Sequence, residues 1–93
     1  DRFRVAPDHP ALPGHFPGNP LVPGVLVLDR VAAALRARGA AALAGFSQGK
    51  FTATLRPGED ALIEFNAIEL DTRWRFRVLR GDVVIASGEA QTQ

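Results

Sequence analysis

Six of the seven prolines fall between residues 7 and 24, together with three of the nine glycines. Proline locks φ and has no N–H, so this stretch cannot be a helix interior or a central strand. It must be a loop, and a loop this long in a small domain is usually functional or disordered. Leu12, Phe16, Leu21 and Val22 within it favour an ordered, packed loop. The chain around it has 93 residues, enough for one domain spanning 1–93. A domain of this size buries only about 60% of its unfolded surface, so oligomerisation would be a natural supplement to a thin core.

Beyond the loop the text changes twice. Residues 24–38 (GVLVLDRVAAALRAR) predict a helix, opened by Pro23-Gly24 and closed by Gly39, with Arg36 and Arg38 near its dipole's negative end. Its first turns are apolar nearly all round, which predicts a buried helix. Residues 40–45 are ambiguous between a helix tail and a connector. From Phe46 onward the period becomes two. Strands are expected at 46–55, 61–70, 72–79 and 83–91, with turns at Arg56–Asp60 and Gly81-Asp82, and a further short strand at 2–5. One helix and a run of antiparallel strands make an α+β domain. Its open face and edges could be closed by a symmetric dimer that joins two sheets edge to edge.

Composition excludes several classes. Eleven Lys+Arg against ten Asp+Glu give a formal charge of +1, too balanced for a nucleic-acid binder that relies on bulk charge. In 72–78 (TRWRFRV) the arginines and the apolar residues alternate, so in a strand they point to opposite faces. Stacking and charge would not share a face, and the row reads as a solvated Arg face over core aromatics. No cysteine is present, which removes disulfides, a thiol nucleophile and Cys-based zinc sites. The longest apolar stretch, Val25 to Leu35, is interrupted by Asp29 and Arg30 and is too short to span a bilayer. Neither nucleic acid nor a membrane is expected as a partner, and a soluble cytoplasmic protein is. The start at Asp1 and the absence of Met are read as a trimmed or partial chain.

Three groups could carry chemistry. His15 lies in the stiffened loop and is of a type that titrates near neutral pH. Gly24 opens the helix, where free N–H groups favour partial negative charge. Asp29 follows five residues on, about 7–8 Å along the axis, among apolar neighbours that should raise its pKa. A base, an oxyanion-binding N–H and a carboxyl acid suit proton abstraction beside a carbonyl. His9 reads as a loop cap, and no third ligand is spaced with His9 and His15 for a metal.

The run from Leu12 to Asp29, His-Phe-Pro-Gly-x-Pro-x-x-Pro-Gly-Val-Leu with an acid fourteen positions after the His, resembles the hotdog-fold 3-hydroxyacyl-acyl-carrier-protein dehydratases of the FabA/FabZ type. Gly49-Lys-Phe51 and Arg56-Pro-Gly-Glu59 continue the resemblance. It implies a long helix wrapped by an antiparallel sheet, and a homodimer whose sites combine the His loop of one subunit with the acidic helix residue of the other. It implies that His15 removes the α-proton, that the Gly24 N–H polarises the thioester carbonyl and that Asp29 protonates or orients the leaving hydroxyl. Phe16, Pro23 and Val25 would contact substrate. No cofactor or metal is implied, and the substrate would arrive on acyl carrier protein. The family text usually runs Ala-x-x-Gln after the acid, where this chain has Arg30 and Ala33. A non-catalytic acyl-binding or scaffolding module and a hotdog thioesterase are the alternative functions.

Overall fold

The structure is a computed structural model and describes residues 1–6, 21–40, 42–69 and 72–92. Its elements are β1 (Arg2–Arg4), α1 (Gly24–Ala37), β2 (Leu43–Phe51), β3 (Asp60–Glu69), β4 (Arg73–Arg80) and β5 (Val83–Thr92). The strands form one antiparallel sheet in the order β1-β3-β4-β5-β2. The helix lies on the inward face of this sheet, through a core that joins Val27, Val31 and Leu35 to Ile63, Phe76, Val78 and Ile85. This is the α+β arrangement that the sequence pattern predicts, and the hotdog frame that the resemblance implies.

Two-residue periodicity decides which side chains reach the helix. Phe65 pairs with Phe76 and Ile63 with Val78 across β3 and β4. Phe76 and Val78 are fully buried. Arg73, Arg75 and Arg77 alternate with them on the outer face, as expected, and meet carboxylates there. Arg77 donates to Glu64 at 2.6 Å, while Arg73 lies 3.7 Å from both Glu69 and Glu89. On the inner face Phe46 meets Phe76 edge-on at 5.8 Å and Phe65 meets Trp74 at 6.4 Å. Gly88 sits opposite Phe76. A Cβ there would come within 3.1 Å of both the Phe76 ring and the Gly49 backbone, so the bare Cα lets ring and edge strand close together.

Two expectations are corrected. Residues 43–45 are neither helix tail nor connector, because β2 begins at Leu43, paired with Thr92 of β5. Cross-strand pairing overrides the local helix preference of an Ala-rich stretch. The strand also ends at Phe51, not at residue 55. Beyond it the Thr52 N–H still reaches the Ile85 carbonyl at 3.0 Å. Second, α1 is not enclosed all round. Val27, Val31, Ala34 and Leu35 form one buried stripe, whereas Val25 is 65% exposed and Asp29 is exposed. A single sheet can cover only one side of a helix.

The three-residue β1 is held at its end by Arg4, whose Nε donates to Asp60 Oδ1 at 2.8 Å across the β1–β3 register. That hydrogen bond from Arg4 holds the Asp60 carboxyl below the usual carboxylate range. A depressed folded-state pKa stabilises the fold above the unfolded value of about 3.9. The contribution fades as pH falls through the lower folded value. Thermal melts of the parent and Asp60→Asn across the acid range should therefore differ at neutral pH and converge in strong acid. A gap independent of pH would contradict this role for Asp60.

Candidate active site

The chain enters α1 through Leu21-Val22-Pro23. Val22 is buried, and its N–H donates to the Leu55 carbonyl at 2.8 Å. Pro23 is the N-cap with extended backbone (φ −61°, ψ 145°) and offers no capping side chain. The Leu26 and Val27 N–H groups both turn back to the Pro23 carbonyl, at 3.0 and 3.4 Å. The Gly24 and Val25 N–H groups have no acceptor among the described residues. No acidic side chain stands in the first turn. Among the described residues, the helix therefore begins with two unpaired donors at the positive end of its dipole.

An apolar cavity of about 290 Å³ opens beside these donors, walled by Val22, Pro23, Gly24, Phe51, Leu55 and Ile85. No charged side chain among the described residues lines it. Gly24 lets the Phe51 ring come close, because a Cβ at residue 24 would lie 2.9 Å from Cζ of Phe51 and displace the ring. The ring thus rests directly on the backbone that carries the donor. Such a corner can hold a carbonyl oxygen on the N–H and an apolar chain in the cavity.

The predicted residues are placed as follows. Gly24 and Pro23 line the cavity. Val25 projects outward from the same turn, and Asp29, four residues on, shares its exposed side of the helix. His15 and Phe16 lie outside the described residues, so the geometry joining His15 to Asp29 is not on view. The apolar enclosure expected around Asp29 is corrected: the carboxylate is exposed, because the buried stripe of α1 runs along the opposite side. Asp29 makes no ion pair or hydrogen bond among the described residues. Arg30 is engaged elsewhere, with its guanidinium 5.9 Å from the centre of the Phe3 ring. The helical neighbours therefore do not neutralise each other, as their angular separation predicts.

Phe51 is the site residue that sequence reasoning missed. Gly49-Lys-Phe51 carries the signal, but the two-residue period of the expected strand 46–55 gives Phe51 only a strand face, shared with Ala53 and Leu55. Its approach to Gly24 joins residues far apart in the chain and has no local signature.

The comparisons with known proteins agree with this architecture. The sequence model of the ApeI-like family, described as ApeI dehydratase, matches residues 2–89. The 3-hydroxyacyl-[acyl-carrier-protein] dehydratase FabZ of Caldicellulosiruptor saccharolyticus is 35% identical over 79 residues, covering 71% of this chain and 54% of that protein. The chain thus spans about half the length of the curated relatives it matches. Among solved structures, the dehydratase heterocomplex ApeI:P from Xenorhabdus doucetiae aligns with a TM-score of 0.80 at 27% identity, over 97% of this chain and 81% of that one. A point mutant of the fluoroacetyl-CoA-specific thioesterase FlK aligns at 0.65 and 18% identity, over 97% of this chain and 78% of that one, a likeness of fold alone. A match across nearly the whole chain, on a hotdog frame with an open helix N-terminus beside an apolar cavity, places this chain in the ApeI-like dehydratase family.

Proposed function

We propose that the protein dehydrates a 3-hydroxyacyl thioester, carried on acyl carrier protein, to the trans-2-enoyl thioester. The observation that carries this reading is the uncapped start of α1 at Gly24, facing an uncharged apolar cavity, with Asp29 exposed on the same helix. In this account the thioester carbonyl accepts a hydrogen bond from the Gly24 N–H, which steadies the charge that builds on oxygen as the α-proton leaves. His15 takes that proton. Asp29 gives a proton to the C3 hydroxyl, which departs as water, and the carbon–carbon double bond forms between C2 and C3. Pro23, Val25 and Phe16 border the substrate. Biosynthesis of a fatty-acid, polyketide or aryl-polyene chain in the cytoplasm is the setting this chemistry fits.

We place Asp29 in the site of a second subunit. On its own chain it faces outward, beside the exposed Val25. Strand β2 forms one edge of the sheet, pairing with β5 alone among the described residues. Closing both features with a second copy would cover Val25 and remove an open strand edge. The interface should reach the usual total of about 1,600 Å². By analogy with the ApeI:P dehydratase heterocomplex, a different chain is the alternative partner. Sedimentation at micromolar concentration should give a dimer, and a monomer alone would refute this assembly.

Substitutions separate catalysis from folding. His15→Ala should preserve the assembly and lower turnover by about 10²–10⁴-fold, the usual worth of a general base. Asp29→Asn should abolish turnover without unfolding the protein, and Asp29→Glu should keep part of it. Near-normal turnover in His15→Ala would put the base elsewhere. The loss of Ala-x-x-Gln at Arg30 and Ala33 is what favours the second reading, a non-catalytic module. That reading predicts no enoyl product from any 3-hydroxyacyl thioester offered to the parent protein.

A further inference from the structure

We infer that Phe51 sets the substrate range of this site by excluding substituents on the carbon next to the thioester carbonyl. The inference rests on the dehydratase reading. It starts from the way Phe51 is held. Phe51 ends β2 and pairs with Ala86, which pairs in turn with the buried Val78, so its side chain leaves the sheet on the helix side. The backbone just beyond is anchored. Thr52 donates from its N–H to the Ile85 carbonyl at 3.0 Å and from Oγ1 to the Val84 carbonyl at 2.8 Å. The ring is therefore delivered from a fixed point.

That ring occupies the space a side chain at residue 24 would fill. Three of its atoms lie 2.9–3.3 Å from the position of a Gly24 Cβ. A carbonyl bound to the Gly24 N–H places its neighbouring carbon against this ring, since the donor and the ring share one corner. Three of the other walls are held in the core. Val27, Leu55 and Ile85 are at most 3% exposed and belong to the core. Phe51 is 53% exposed and can be trimmed without opening that core. An unbranched C2 fits beneath the ring, and a methyl branch collides with it.

The test compares a 3-hydroxyacyl pantetheine with its 2-methyl analogue on the parent protein, Phe51→Leu and Phe51→Ala. Phe51→Ala should raise the ratio of kcat/KM, branched over unbranched, by roughly 10–200-fold, the discrimination that one methylene-sized contact supports. Phe51→Leu should fall between. Equal changes for both substrates, in proteins shown by circular dichroism to be folded, would overturn the assignment. A second readout does not depend on turnover. Unreactive amide-linked versions of the two acyl pantetheines are titrated while the Gly24 amide is followed by NMR. If the parent protein turns over neither substrate, but binds the unbranched analogue at Gly24 and gains the branched one only in Phe51→Ala, the dehydratase reading fails and the role of Phe51 stands. If neither analogue moves the Gly24 amide in any of the three proteins, the role of Phe51 fails as well.

Discussion

The seating of α1 on the sheet through Val27, Val31, Ala34 and Leu35 is the constraint from which the rest of the structure follows. These residues recur at helical spacing and meet the inward side chains of β3, β4 and β5 in one core. Fully burying each large member contributes about 1.5–3 kcal/mol relative to exposure, far more than any surface ion pair here can supply. The rotation of the helix about its axis is thereby fixed. So is the direction in which its first turn points, at the cavity under Phe51. So, finally, is the outward placement of Val25 and Asp29.

Helix seating and site chemistry are linked at Gly24. Pro23 supplies no capping group, and the residue after it has no side chain. The first turn can therefore come close to the Phe51 ring while the Gly24 and Val25 N–H groups have no acceptor among the described residues. A capping Ser or Asp would consume a donor, and any Cβ at residue 24 would have to displace the ring. The local rules that usually complete a helix start are left unmet where the proposed chemistry needs a donor. Arg30 shows the same economy in another direction. Its stack on Phe3 ties β1 to the helix and leaves Asp29 without a cationic neighbour along the helix.

Much of this is legible in the sequence. The alternation in Thr72–Val78 marks β4 and its two faces, and Gly81-Asp82 marks the hairpin, where Gly81 takes φ +59°. Pro23-Gly24 locates the helix start to the residue. The exposure of Asp29 is not legible from its apolar neighbours, because neighbours in sequence on a helix are not neighbours in space. Val25, Asp29 and Ala33 recur at intervals of four and share the exposed side. The start of β2 is hidden because Ala-Ala-Leu-Ala carries a helical preference that only pairing with β5 overrides. The Phe51–Gly24 contact is hidden for a related reason: it depends on where a strand end and a helix start meet in three dimensions.

In the function we propose, the site is complete only when Asp29 reaches the His15 loop of another subunit. It is tested most directly by mixing. His15→Ala and Asp29→Asn proteins, each inactive alone, are dissociated together and allowed to reassociate. With random pairing, about half the dimers are mixed, and each mixed dimer holds one intact site of two. The account therefore predicts recovery to about a quarter of the parent turnover. If both residues act within one chain, every site in the mixture lacks a group. Turnover would then stay at the level of the separate variants, and the shared site would be contradicted.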